Sequence, residues 1–158
     1  MKNRVVITGL GVVAPNGVGL QDFTNAIKIG KSGIAFHQHL KDKGFSCCIG
    51  GIPTISDQKI SEYLTPLQLR GFNSTSILYG CIAAIDAWKD AGFLVDENSH
   101  LDYDTGIIFG TGTSGIEKFR EAIYQIDNQN VRRLGSTSVV QTMASGISAY
   151  LGGILGVG

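Results

Sequence analysis

Three glycines near the middle of the chain have the spacing G-x-G-x-x-G: Gly110, Gly112 and Gly115. They follow an apolar run and precede a segment with helical periodicity, which is the setting of a dinucleotide-binding loop. Glycines in such a loop let the backbone approach a pyrophosphate at a helix N-terminus. No second strand ending in Asp or Glu follows about 20 residues later, where the ribose contact belongs. Because 22 glycines make this spacing common by chance, we predict a tight turn close to other backbone instead of a nucleotide site.

The histidine pair His37 and His39 would place two imidazoles on one face of an extended segment, an arrangement that could hold a metal. No carboxylate or cysteine follows at ligand spacing, and the third histidine is His100. We therefore predict surface histidines and no metal site.

Three cysteines are candidate nucleophiles: Cys47, Cys48 and Cys81. Cys81 falls in the apolar stripe of a predicted helix, which favours an inert core thiol. Cys47 and Cys48 would need a histidine base that the sequence does not place, and the vicinal pair is badly placed to bridge itself. The absence of a CxxC pair and of an even cysteine count favours a reduced, cytoplasmic setting. Since a G-x-S-x-G elbow is also missing, the residues alone give no catalytic set.

Two short apolar runs are typical of buried strands: residues 4–8 (RVVIT) and 106–110 (GIIFG). Both are continuous instead of alternating, as in parallel strands covered on both faces. A further extended piece is predicted over residues 46–52. Helical periodicity predicts four helices, over residues 21–29, 76–91, 116–126 and 141–155.

The predicted helices differ in the residues that they present. In the second, Ile77, Cys81, Ile85 and Trp88 form one apolar stripe, and Gly92 is a plausible stop. The third has the stripe Ile116, Phe119, Ile123 and Ile126. The last is apolar or small on every side, which is usual for a helix buried in a larger protein. Helices that alternate with buried strands favour an α/β fold.

The composition narrows the class of function. Thirteen basic and thirteen acidic residues cancel, so no basic field for nucleic acid is visible. Hydrophobic residues make up 43% of the chain and charged residues only 16%, so much of the surface is predicted to face other protein. The start of the chain is too short and broken for a signal peptide, and the apolar stretch after Met143 is shorter than the roughly 20 residues of a membrane span.

Several segments together resemble the β-ketoacyl-[acyl-carrier-protein] synthases, and in particular the elongating enzymes. The opening Arg4-Val-Val-Ile-Thr-Gly-Leu-Gly-Val-Val-Ala-Pro-Asn-Gly17 is similar to the first strand and loop of that family. Further similar segments are Ser32-Gly33-Ile34, Leu40-Lys41-Asp42, the run from Gly106 to Gly115, and Met143-Ala-Ser-Gly-Ile-Ser-Ala149.

The resemblance implies the N-terminal half of a thiolase-like fold, with a mixed sheet between layers of helices that is incomplete in residues 1–158. It also implies a decarboxylative Claisen condensation without a cofactor, in which a cysteine takes the acyl chain and two histidines assist loss of CO2 from a malonyl thioester. In the family that cysteine follows the segment ending at Gly158, and the histidines come later. We therefore expect no catalytic residue in this chain and no condensation by the chain alone.

The resemblance also assigns expected roles to residues that are present. Gly112 and Thr113 match a loop that borders the acyl chain, whereas Ser136, Thr137, Met143 and Ser145 match a region near the dimer interface or pocket floor. The implied partners are acyl carrier protein, its malonyl and acyl thioesters, and a second subunit in a homodimer or heterodimer. An alternative is a non-catalytic subunit of the chain-length-factor kind. The chain alone is expected to associate or to be poorly soluble, because it would expose strand edges and apolar helix faces.

Overall fold

The computed structural model describes residues 4–70, 72–95 and 101–158. Most of the regular structure in these ranges is helical. The elements in chain order are β1 (Val13–Ala14), β2 (Gly17–Val18), α1 (Leu20–Lys28), β3 (Ile34–Phe36), α2 (Gln38–Asp42), β4 (Ile49–Gly51), α3 (Asp57–Ile60), α4 (Thr75–Asp90), α5 (Ile116–Asp127), a 3-10 turn (Val131–Arg133), α6 (Ser138–Thr142) and α7 (Gly146–Leu155).

The core of the described residues lies where α4 packs against α7. Gly80 permits this approach, since a Cβ there would lie 2.9 Å from Ile147 Cγ2. The predicted second helix is confirmed within one residue at each end, and Gly92 follows it in the left-handed conformation at φ 87°. The buried side chains of the two helices include Ile77, Cys81, Ile85, Ile147, Leu151 and Ile154.

The two runs predicted as buried strands belong to no strand ladder in the described residues. Val5 and Ile7 are 92% and 84% exposed, and Ile108 is fully exposed. A strand requires hydrogen bonds to a neighbour, and the strand pairs among the described residues are the antiparallel hairpin β1–β2 and the antiparallel pair β3–β4, which is joined through α2. The prediction of buried strands at 4–8 and 106–110 is therefore wrong for the described residues, whose helices and short strand pairs are consistent with an incomplete α/β fold. The extended piece predicted over 46–52 is confirmed in β4.

The predicted last helix is interrupted at Met143, which has the extended backbone angles φ −82° and ψ 146°. The break divides it into α6 and α7. Gly146 begins α7 so close to α6 that a Cβ would collide with the carbonyl oxygen of Val140. The interruption lets α7 stay against α4 while α6 packs against α5.

Helix α5 forms where periodicity predicts it, but its apolar stripe faces outward. Ile116, Phe119, Ile123 and Ile126 are each about half exposed, whereas Lys118 is only 4% exposed. The helix is therefore held on the fold by polar groups. Among the described residues, no helix has the length and apolar character needed to cross a bilayer.

The opening loop lies directly on the backbone of α4. A Cβ on Gly9 would collide with the carbonyl oxygen of Ala87, and one on Gly11 with that of Ala83. The Leu10 N–H donates to Asp90 Oδ2 at 2.9 Å. Glycine is therefore required for close approach in this loop.

Substitution of Gly11 by alanine is expected to destabilise the fold by about 1–3 kcal/mol, because the added methyl group forces the loop off α4. Gly153→Ala is the matched control, since Gly153 lies within α7 and a Cβ there meets nothing within 4 Å. It should be neutral or stabilising by up to ~1 kcal/mol. Urea unfolding of both variants measures the difference; equal midpoints would contradict the packing described for the loop.

The Cys81 thiol is buried in the core, as predicted, and burial raises its pKa from an ordinary value near 9 to about 12. In the folded state the Cys81 thiol therefore keeps its proton above pH 9, whereas in the unfolded chain the thiol loses it. This contribution to stability is complete below pH 9 and is lost as the pH rises toward 12.

We therefore compare the free energies of unfolding of wild type and Cys81→Ala. The difference in favour of wild type should become smaller between pH 8 and pH 11. Tyr63 and Tyr79, whose pKa values burial also raises, are present in both proteins and cancel in the difference. Denaturant unfolding at several pH values is the measurement. A difference that stays constant would show that the thiol does not titrate with folding.

Candidate functional site

The glycine loop, residues 110–115, leads into the N-terminus of α5. Thr111 Oγ1 donates to the Thr113 carbonyl oxygen at 2.8 Å, which closes the loop on itself. Gly115 is left-handed, at φ 62° and ψ 31°, and a Cβ there would collide with the Gln141 carbonyl oxygen. The predicted tight turn close to other backbone is confirmed at Gly115. Gly110 and Gly112, by contrast, would have no neighbour within 4 Å of a Cβ.

Hydroxyl groups attach this loop to the first turn of α4. Ser76 Oγ accepts a hydrogen bond from the Gly115 N–H at 3.3 Å and lies 3.2 Å from Ser114 Oγ. Ser74 Oγ lies 3.3 Å from Ser76 Oγ on the other side. Ser74 and Ser114 are buried, so their hydroxyls exchange water for these contacts.

The Gln141 side chain ties α6 to the segment before α4. It is fully buried. Its Oε1 accepts from the Asn73 N–H at 2.6 Å, and its Nε2 donates to Thr137 Oγ1 at 2.9 Å. Because a buried amide is costly unless hydrogen-bonded, this side chain defines how α6 lies against the N-terminal end of α4.

An ion pair on α5 is also connected to the segment before α4, through Asn73. The Lys118 ammonium lies 3.2 Å from Glu121 Oε2, and Asn73 Nδ2 donates to the same oxygen at 2.8 Å. The hydrogen bond from Asn73, followed by that from Lys118, lowers the pKa of Glu121 below its ordinary value. Thr75 Oγ1 also donates to the Glu117 carboxylate.

These groups form one polar seam between the N-terminal ends of α4 and α5 and helix α6. Sequence reasoning missed the seam. One signal was available, namely an amide side chain, Gln141, beside the apolar residues Val139 and Val140. The seam residues are Asn73, Ser74, Ser76, Ser114, Lys118, Glu121 and Gln141.

The residues expected at an acyl pocket or interface lie at the surface. Gly112 and Thr113 are exposed on the outer part of the glycine loop. Ser136, Thr137, Met143 and Ser145 are exposed as well. The structure does not gather these six into one site, and their roles stay predictions.

Two clefts share Ala149 and Gly153 of α7 in their linings. The first, of about 430 Å³, contains Thr137 together with Tyr150. The second, of about 390 Å³, contains Ser145. A third, mainly apolar cavity of about 340 Å³ lies between α4 and the segments predicted as strands; its lining includes Thr8, Gly9, Trp88, Ile107, Ile108 and Phe109.

The other candidate groups are not arranged for catalysis or metal binding. His37 Nε2 lies 3.0 Å from the Gly50 carbonyl oxygen, and the His37 and His39 rings meet edge to face at 5.6 Å. In the described ranges no three His, Cys, Asp or Glu side chains are grouped to hold a metal ion. Cys47 is exposed and Cys48 half-buried, whereas His100 lies outside the described residues.

Comparison with known sequences gives a consistent set of relatives. The chain is 31% identical over 152 residues to 3-oxoacyl-[acyl-carrier-protein] synthase 1 of Escherichia coli, covering 94% of this chain and 36% of that protein. It is 27% identical over 150 residues to 3-oxoacyl-[acyl-carrier-protein] synthase 2 of Vibrio cholerae, covering 95% and 35%. It is also 33% identical over 113 residues to the tetracenomycin polyketide synthase ketoacyl synthase beta subunit of Streptomyces glaucescens, covering 72% and 26%. The chain thus spans about a third of the length of these relatives.

Solved structures show the same fold. A beta-ketoacyl synthase from Burkholderia phymatum superposes with a TM-score of 0.75 at 22% identity, over 99% of this chain and 38% of that one. A type II polyketide ketosynthase in complex with its acyl-carrier protein superposes with a TM-score of 0.69 at 19% identity, over 96% and 40%. The chain is therefore part of a thiolase-like α/β fold. Since the family model for the N-terminal domain of beta-ketoacyl synthases matches residues 2–157, this chain belongs to the beta-ketoacyl synthase family.

Proposed function

We propose that this chain is the N-terminal portion of an enzyme that extends an acyl chain by decarboxylative condensation with a malonyl thioester of acyl carrier protein. The observation that carries the proposal is the family match over residues 2–157, joined to relatives named 3-oxoacyl-[acyl-carrier-protein] synthase. In this reaction the malonyl group loses CO2, and the resulting carbanion attacks the acyl thioester. A carbon–carbon bond forms, and the thiolate that held the acyl chain departs.

The proposed contribution of residues 1–158 is to shape and support the site, while the reacting groups lie elsewhere. The cysteine and histidines that the family mechanism needs match no residue of this chain, so we expect no turnover from it alone. Gly112 and Thr113 are proposed to border the acyl chain, because the glycine loop presents both to the outside from an anchored base. Ser136, Thr137, Met143 and Ser145 are proposed to face the pocket floor or a partner subunit. We place the protein in the cytoplasm, with carrier-bound thioesters as substrates.

A second candidate is a non-catalytic subunit that shapes an acyl pocket in a heterodimer. The similarity to a polyketide synthase beta subunit favours it. Nothing in residues 1–158 separates the two candidates, since they differ in the residue type at the nucleophile position beyond the matched segment.

The first experiment is the intact mass of the protein purified from its source, followed by assay of CO2 release from malonyl-carrier protein. A mass of at least twice 16.8 kDa, with CO2 release that is lost when the downstream cysteine is replaced by alanine, is the expected result. A long polypeptide with that cysteine but no CO2 release would contradict the condensing function. A long polypeptide without the cysteine, or a mass of 16.8 kDa, would favour the partner-subunit function.

The outward stripe of α5 supports assembly with a second subunit. Ile116, Phe119, Ile123 and Ile126 form a continuous apolar face, and exposed patches of this kind mark interaction sites. The polar seam on the opposite side of α5 leaves this face free to meet other protein.

We expect residues 1–158 to associate in solution and to scatter light as a species larger than 16.8 kDa. Substituting both Phe119 and Ile123 by lysine should lower the measured mass, because charge opposes burial of the stripe. Asp127→Lys is the matched control: it changes charge at an exposed position of the same helix and should leave association unchanged. A monodisperse wild-type monomer would contradict the expectation.

A further inference from the structure

The glycine loop is free at its tip and held at its base. Gly112 has no neighbouring atom within 4 Å of a Cβ position, and Thr113 is exposed. Ser114 and Gly115 are buried, by contrast. The orientation of the tip is therefore decided by whatever holds the base.

Ser76 holds the base from α4. Its hydroxyl lies within hydrogen-bond distance of two consecutive loop residues, through the Gly115 N–H and Ser114 Oγ. Ser76 belongs to helix α4, which contributes Ile77, Cys81 and Ile85 to the core, so the loop is attached directly to a core helix.

Gln141 holds the base from the other side. Its backbone carbonyl oxygen lies where a Cβ of Gly115 would be, and its side chain is fixed by Asn73 and Thr137. A change at Gln141 would therefore move the surface against which Gly115 packs. Lys118 and Glu121 support the arrangement one turn later, where Glu121 accepts from Asn73.

We infer that Ser76 and Gln141 are positioning residues that set the orientation of the loop tip at Gly112 and Thr113, and through it the acyl-chain length that the pocket accepts. The part about acyl length rests on the proposed function, whereas the anchoring of the loop does not. An alkyl chain has no polar group to fix its depth, so the position of the residues that border it is what limits it. Neither residue is proposed to touch the acyl chain.

Amide hydrogen exchange on the full chain tests the anchoring. Ser76→Ala should raise exchange in the peptide covering residues 111–116 by about fivefold, the effect of losing one modest hydrogen bond. Ser76→Thr keeps the hydroxyl and should restore slow exchange. Ser74→Ala is the matched control, because Ser74 is a buried serine two residues away that contacts Ser76 but not the loop. Unchanged exchange in Ser76→Ala, or an equal rise in Ser74→Ala, would overturn the inference.

A second variant keeps the test decisive if Ser76→Ala fails to fold. Gln141→Met preserves length and removes the amide hydrogen bonds with Asn73 and Thr137. It should speed exchange in residues 111–116 while peptides from α4 and α7 stay protected. Uniform loss of protection across α4 and α7 would mean that Gln141 is merely structural, and would overturn its assignment as a positioning residue.

Acyl-length preference, measured on the full-length protein with acyl-pantetheine thioesters of 6, 10 and 14 carbons, tests the functional part. Ser76→Ala should bring the affinities for the three probes closer together, because a loosened loop discriminates less between acyl lengths. Ser74→Ala should keep the wild-type ratio of affinities. An unchanged ratio despite a loosened loop would overturn the link to acyl length. If wild type binds none of the probes while Ser76→Ala still loosens the loop, the anchoring stands and the proposed acyl pocket is wrong.

Discussion

The close contact between α4 and α7 is the constraint on which the other described elements depend. Gly80 lets the two helices approach so that Ile147 occupies the space where a side chain would otherwise be. The large side chains at this contact are almost completely removed from water, and each contributes about 1.5–3 kcal/mol relative to an exposed position. Both the opening loop and the glycine loop are attached to α4: the first lies on its backbone, and the second is held by Ser76.

Helix α5 packs on the rest of the fold through directional polar contacts, whereas an amphipathic helix normally packs through its apolar face. Helix α5 turns Lys118 inward and its apolar stripe outward, the reverse of a surface helix packed on its own domain. The cost of burying the ammonium and the Gln141 amide is offset because both are paired. Hydrogen bonds require a defined angle, so the seam fixes the orientation of the glycine loop more narrowly than apolar contact would.

The exposed apolar surface follows from the same arrangement. The α5 stripe and the unpaired runs at 4–8 and 106–110 present side chains that the described residues do not cover. The low charged fraction of the chain, 16%, agrees with a surface that meets other protein. This is consistent with a chain that spans about a third of the length of its relatives.

The sequence by itself determined the features that depend on short-range pattern: the helical segments at 21–29, 76–91 and 116–126, the stop at Gly92, the buried thiol at Cys81, the tight turn at Gly115 and the family. Tertiary structure decided the rest. Residues 4–8 have strand composition, yet a strand exists only with a neighbour to bond, and composition cannot supply one. Met143 lies in a helical pattern, but its backbone is extended, and only the absence of a side chain at Gly146 allows α7 to begin so close to the Val140 carbonyl oxygen. The polar seam joins residues 73–76, 114–121 and 141, which come together only through packing, so local periodicity could not reveal it.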